Sequence, residues 1–200
     1  LIVGRVAAAV LTATMAAYAF ARLNFKGKDI LFMLVLLTMM VPFQVMMIPL
    51  FLESNLLGLL DTYGGLILPK ATSAFGIFMM RSYFAALPKD LEEAARVDGM
   101  SEFGIFAKIM FPLVIPGVLT LAIFHLMQNW NDLLYPLMMT SSTRMRTLSA
   151  GLALFVGEHA TTYYGPQLAG ALLSVLPLLV IYIFFQKYFI ASVATSGMKD

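Results

Sequence analysis

Apolar residues in this chain come in long runs rather than in stripes. The first covers Leu1 to Ala21 and is broken only by Arg5; the second runs from Ile30 to Phe51, and the third from Gly65 to about Met80. A fourth starts at Leu113 and fades at "NWNDLLYP", and a fifth covers Leu168 to Phe185. Runs of this kind suit helices that cross a hydrocarbon core of about 30 Å, because a helix satisfies every backbone N–H and C=O within its own segment. Pro42 and Pro49 in the second run are tolerated where neighbouring helices re-satisfy the freed carbonyls. The pattern predicts an all-α polytopic membrane protein in which residues 1–200 form one transmembrane domain with five spanning helices. Leu1 lies inside an apolar run without a basic lead-in, so a further N-terminal span is expected ahead of it.

Basic residues orient this arrangement. Arg22, Lys26, Lys28, Arg81, Lys89, Arg96, Lys108, Lys187 and Lys199 fall on one side of it. Lys70, Arg144 and Arg146 fall on the other, with Arg5 near that end. An excess of Lys and Arg in short loops marks the cytoplasmic side. The loop 87–112 is then cytoplasmic, and 140–166 is the largest external loop. Tyr63, Tyr135, Tyr163 and Tyr164 fall near the external boundary, where aromatic rings form an interfacial belt.

Composition narrows the chemistry. With 60% hydrophobic and 12% charged residues, the chain has more apolar side chains than a soluble core of 200 residues needs. A net charge of +2 gives no basic surface for nucleic acid, and the absence of Cys removes disulfides and thiolate metal sites. The 15 Met read as adaptable packing, and no metal site is expected. Gly27-Lys28 is followed by Asp29 and lacks the upstream glycine of a phosphate-binding loop.

One stretch departs from this pattern. "LPKDLEEAARVDGMSEFGIFAKIMFPLVIP" gathers about half of the acidic residues. Asp90 reads as an N-cap with Glu93 three residues on, Glu92 and Glu93 complement the helix dipole, and Gly99 supplies the stop. Leu91, Ala94, Ala95 and Asp98 fall at i, i+3, i+4 and i+7, a face of small side chains that lets another surface approach. Glu92 and Arg96 are spaced to pair along the surface. Ser101 reads as the cap of a second helix that Pro112 closes. By pattern alone the favoured reading is a solvated interfacial loop with ordinary capping, since capping boxes are common.

The segment "EEAARVDGMSEFGIFAKIMFP" resembles the EAA loop of binding-protein-dependent ABC importer permeases: Glu-Ala-Ala, three residues, Gly, nine residues, Ile, any residue, Leu-Pro. Glu93, Ala94, Ala95, Gly99, Ile109 and Pro112 match in register, Asp98 fits the common Asp-Gly form, and Phe111 replaces the usual Leu. "YAFARLNFKGKD", "MMVPFQVMMIPLF", "GLLDTYGGLILP", "NWNDLLYPL" and "FFQKYF" extend the similarity to the carbohydrate-type permeases, the second permease of maltose transporters among them. The resemblance implies that Leu91, Glu93, Ala94, Ala95, Asp98, Gly99, Ile109 and Pro112 form a coupling element docking on an ATP-hydrolysing subunit. It implies two such subunits, a second permease, an external solute-binding protein and membrane lipid as partners, in the prokaryotic cytoplasmic (inner) membrane. No cofactor is then bound by this chain, which is not itself an enzyme; ATP and Mg²⁺ belong to the partner. A sugar would pass by alternating access.

For the substrate path, His125, Gln128, Asn129 and Asp132 recur at i, i+3, i+4 and i+7 beside Trp130, with Gln44 next to Pro42 as a further candidate. Intramembrane polar residues face a bundle interior or a watery cavity. The stripe suits a hydroxylated solute and equally suits polar packing between helices. A proton-coupled carrier or intramembrane hydrolase would instead rest on His125 and Asp132. The same importer class with a non-sugar solute is a third reading.

Overall fold

The computed structural model describes residues 1–153 and 164–197, and every regular element among them is helical. The chain begins with α1 (Ile2–Arg22), then α2 (Lys28–Thr38) and α3 (Phe43–Leu56), which are separated at Pro42. Two shorter helices follow, α4 (Tyr63–Ile67) and α5 (Ala74–Ala85), with a 3₁₀ turn at Leu68–Lys70 between them. The charged stretch supplies α6 (Asp90–Val97), α7 (Glu102–Ile105), a π turn at Phe106–Met110 and α8 (Phe111–Leu113). The remainder forms α9 (Ile115–Trp130), α10 (Leu134–Met139), α11 (Leu148–Ala153) and α12 (Tyr164–Gly197).

Among the described residues, α1 and the Tyr164–Ile181 part of α12 are each long and apolar enough to cross a membrane. The pairs Lys28–Thr38 with Phe43–Leu56, and Glu102–Leu113 with Ile115–Trp130, reach that length only when each broken pair is taken as one span, which gives up to four. The third apolar run is not one rod. Pro69 has no N–H to return to the Gly65 carbonyl, which accepts the Tyr135 hydroxyl instead. The run resumes as α5 only after Ser73, whose Oγ accepts the Gly76 N–H at 3.0 Å. At 12 residues, α5 is about 18 Å long, short of the ~30 Å core.

Packing divides the chain into two compact units. One comprises Val6–Pro42 and Ala71–Ile123. Its core is Ala13, Ala17, Met80, Phe84, Ile105, Met110 and Leu121, all fully buried. Alanines at 13 and 17, one turn apart on α1, leave no side-chain bulk and let α5 come close; a methyl on Gly76 would stand 2.9 Å from the Ala13 Cβ. Tyr18 meets the edge of Phe84 at 5.5 Å and Phe106 at 5.2 Å between ring centroids.

The other unit comprises Leu1–Arg5, Phe43–Lys70 and Phe124–Asp200. Leu66, Tyr135 and Met139 form its buried centre, with Phe43, Leu50, Leu60, Met138 and Met145 against them. Tyr135 is therefore a core residue and not part of a belt, whereas Tyr63 and Tyr164 are exposed and Tyr163 lies outside the described residues. Trp130 Nε1 donates to the Ser174 carbonyl at 3.0 Å, and Ser149 Oγ donates to the Trp130 carbonyl at 2.9 Å, which ties α9 to α12 and α11. Asp61 sits at φ 56, donates its N–H to the Met139 carbonyl at 2.8 Å, and accepts the Ser141 and Ser142 N–H groups at 3.0 and 3.1 Å.

Two predictions follow from this unit. Gly65→Ala places a Cβ 2.0 Å from the Leu59 carbonyl oxygen, so α4 must move off the preceding turn at about 1–3 kcal/mol. Gly64→Ala meets only ordinary contacts of 3.5 Å and beyond and should leave thermal stability in detergent unchanged. The Ser142 and Ser141 N–H groups hold the Asp61 carboxyl below its ordinary value. Its support for this loop is complete at neutral pH and is lost as the pH falls through the carboxylate range. Asp61→Asn should lower stability at neutral pH and flatten that acid-dependent part of an unfolding titration, so that the variant and the unaltered chain converge at acid pH.

Candidate functional site

The loop 87–112 is built by local rules. Lys89 stands at the N-cap position of α6 without a side-chain bond, so Asp90 is the first helical residue rather than the cap. Its carboxylate still complements the helix dipole from the first turn, with Glu92 and Glu93. At the other end Gly99 takes φ +78; its N–H donates to the Arg96 carbonyl and the Met100 N–H to the Ala95 carbonyl, both at 3.0 Å. This is the double closure that a left-handed glycine permits. Ser101 caps α7, accepting the Gly104 N–H at 3.2 Å. Pro112 does not close the helix. The chain stays helical to Leu113, opens into the π turn ahead of Pro112, and bends by 78° before α9.

The faces of α6 are sharply divided. Leu91, Glu93, Ala94, Val97 and Asp98 are exposed, whereas Glu92 and Ala95 are buried. Ala95 joins the core with Ile105 and Met110, so the small-residue face is open only at Leu91, Ala94 and Asp98. The expected Glu92–Arg96 pair forms, but Glu92 makes it from a buried position. At 3% exposure it pairs with Arg22 Nε at 3.3 Å and with Arg96 Nη2 at 3.6 Å. Arg96 in turn donates to both Glu102 oxygens, at 2.6 and 3.2 Å, and the Tyr18 hydroxyl donates to Glu102 Oε2 at 3.3 Å. Arg22 Nη2 also donates to the Leu87 carbonyl. Of the other matched positions, Ile109 is half-buried and Pro112 exposed.

The polar stripe does not survive as one face. α9 ends at Trp130, and Asp132 lies beyond it, its Oδ1 accepting the Tyr135 N–H at 3.4 Å ahead of α10. Its Oδ2 is shared by Arg5 Nη2 and Lys70 Nζ, each at 3.0 Å. Rings complete this triad: Tyr135 stands 5.3 Å from Arg5 and 4.5 Å from Lys70, and Phe43 4.3 Å from Lys70. His125 is buried, and Asn129 Nδ2 folds back to donate to the His125 carbonyl at 2.6 Å. Gln128 and Gln44 are exposed. Arg5 and Lys70 were not among the expected site residues. The signal for Arg5 was its solitude, because one charge inside a long apolar run demands a partner. No group of three or more His, Cys, Asp or Glu capable of holding a metal occurs among the described residues.

The chain is similar to known proteins over most of its length. Residues 9–195 match the family model of the binding-protein-dependent transport system inner membrane component. The arabinooligosaccharides transport system permease protein AraQ of Halalkalibacterium halodurans is 41% identical over 189 residues, covering 94% of this chain and 67% of that protein. The trehalose transport system permease protein SugB of Mycobacterium tuberculosis is 38% identical over 197 residues, covering 96% of this chain and 71% of that protein. A crystal structure of a bacterial ABC transporter involved in the import of the acidic polysaccharide alginate superposes with a TM-score of 0.82 at 28% identity, over 94% of this chain and 71% of that one. This chain thus spans about two thirds of the length of such relatives. With a matching model over almost its whole length and relatives at these identities, the chain belongs to the family of binding-protein-dependent transport system inner membrane components.

Proposed function

We propose that this chain is a permease subunit of an ATP-driven importer that moves a sugar, an oligosaccharide, disaccharide or polyol, across the prokaryotic cytoplasmic membrane by alternating access. The observation that carries the reading is α6: a capped, acid-rich helix in a family of transport components, with Leu91, Glu93, Ala94 and Asp98 outward and its own packing confined to the opposite side. An exposed helix with small and acidic side chains suits a cleft lined by cations in a partner subunit. Two ATPase subunits would bind ATP and Mg²⁺, and this chain would hold no cofactor. A second permease would complete the path and an external solute-binding protein would deliver the sugar. Residues 154–163 of the 140–166 loop lie outside the described residues, and contact of that loop with the binding protein belongs to the same proposal.

A sugar is supported by the named solutes of the relatives, arabinooligosaccharides and trehalose among them. Gln44 and Gln128 are the exposed candidates for hydrogen bonds to hydroxyl groups, with Asn129 half-buried beside them. The carrier or hydrolase alternative needs Asp132 and His125 to act together, and Asp132 already serves two cations.

The importer reconstituted in vesicles with its ATPases, second permease and binding protein should take up labelled arabinotriose only when ATP is enclosed. Uptake driven by a proton gradient without ATP would favour the carrier. Glu93→Lys reverses an exposed charge and should weaken ATPase attachment about 10- to 100-fold, the equivalent of the 1.5–3 kcal/mol of a charge-assisted bond. Gly99→Val meets no neighbour within 4 Å but forces a β-branched residue to φ +78, and should abolish coupled hydrolysis while membrane insertion persists. Wild-type attachment and hydrolysis in both variants would remove α6 as the docking element.

A further inference from the structure

The adjacent glutamates of α6 face different ways. Successive helical residues are about 100° apart, and here that step leaves Glu93 exposed and Glu92 buried against its own chain. There it meets Arg22, and both side chains are 4% exposed. Arg22 also holds the Leu87 carbonyl, just ahead of the helix. Beyond the helix, Arg96 and Tyr18 together hold Glu102. Tyr18 and Arg22 lie one turn apart on α1, so α1 grips the loop before, within and after α6.

We propose that this chain of polar contacts, Arg22–Glu92–Arg96–Glu102–Tyr18, is the pin through which α6 drives α1, with Glu92 and Arg22 as the positioning residues that carry the displacement. The proposal rests on the coupling role of α6. Its physical basis is the contrast between two routes out of that helix. The covalent route toward α9 passes a π turn and a 78° bend, where the regular helical hydrogen-bond ladder is broken. The route to α1 is a buried ion pair reinforced by a bond to the Leu87 carbonyl. Ala95, the buried apolar side chain of α6, offers one methyl, too little to drag a 21-residue helix. An ion pair in low dielectric resists separation far more steeply than methyl packing does. A static fold would be served as well by an apolar pair of the same volume, so the charges fit a connection under load.

The test uses the absence of cysteine from this chain. Spin labels at Leu11→Cys on α1 and Val97→Cys on α6, both exposed, report the separation of the two helices in the complete importer. In the otherwise unaltered chain that distance should be the same without nucleotide and with ATP plus vanadate. In Glu92→Gln, which leaves the outward face intact, ATPase attachment and basal hydrolysis should persist while the distance shifts with nucleotide by about 1–2 Å or more, the scale of helix movements at working interfaces. The swap Arg22→Glu with Glu92→Arg should restore constancy. A nucleotide-dependent distance without any change at the pin overturns the proposal whatever the variants do, and so does an unchanged distance in Glu92→Gln. Loss of ATPase attachment in Glu93→Lys alongside an unchanged distance in Glu92→Gln would retain α6 as the docking element and discard the pin alone.

Discussion

A charge removed from water inside an apolar chain must find an opposite charge, and both packed units of this protein are organised around that requirement. In one, Arg5 is 1% exposed and Asp132 answers it, sharing the same carboxylate oxygen with Lys70. In the other, Arg22 and Glu92 are each 4% exposed and answer one another. Removing one partner of such a pair costs about 3–5 kcal/mol, because it strands the other charge. The elements that carry these residues are thereby held in register: α1 with α6 in one case, and the start of α1 with the turns at Lys70 and Asp132 in the other.

One carboxylate between two cations leaves positive charge in excess. The faces of Tyr135 and Phe43 supply part of the compensation, since the negative face of an aromatic ring attracts a cation at these distances. Tyr135 does two further things at once. Its ring fills the centre of the unit and its hydroxyl satisfies the Gly65 carbonyl that Pro69 leaves without an N–H. The break in the third apolar run is thus part of the same construction as the ion triad.

The loop around α6 solves a different problem. A helix of eight residues has little stability of its own and needs tertiary support or good ends. It receives acidic residues in the first turn, a left-handed glycine at the stop, and anchorage by Glu92 and Ala95 on one side. The other side is left free. That division is what allows a short element to be held firmly by its own chain and remain available to another.

Much of this was legible in the residues themselves. Helical class follows from uncharged runs, because only a helix closes its own hydrogen bonds in hydrocarbon. The caps at Gly99 and Ser101 are local chemistry, as is the acidic first turn, and the register from Glu93 to Pro112 pointed to the family. Gly99 was readable because a left-handed φ suits few other residues. What only the tertiary structure decided was which side of each element faces inward and who meets whom. The spacing of Leu91, Ala94, Ala95 and Asp98 allowed one face, yet the burial of Ala95 and Glu92 rotated it. His125 to Asp132 read as one stripe until α9 ended at Trp130 and Asp132 turned to Arg5 and Lys70, 127 and 62 residues away in sequence. Helical periodicity carries information over a few turns, whereas the partner of a buried charge is chosen by the folding of the whole chain, and no local pattern encodes that choice.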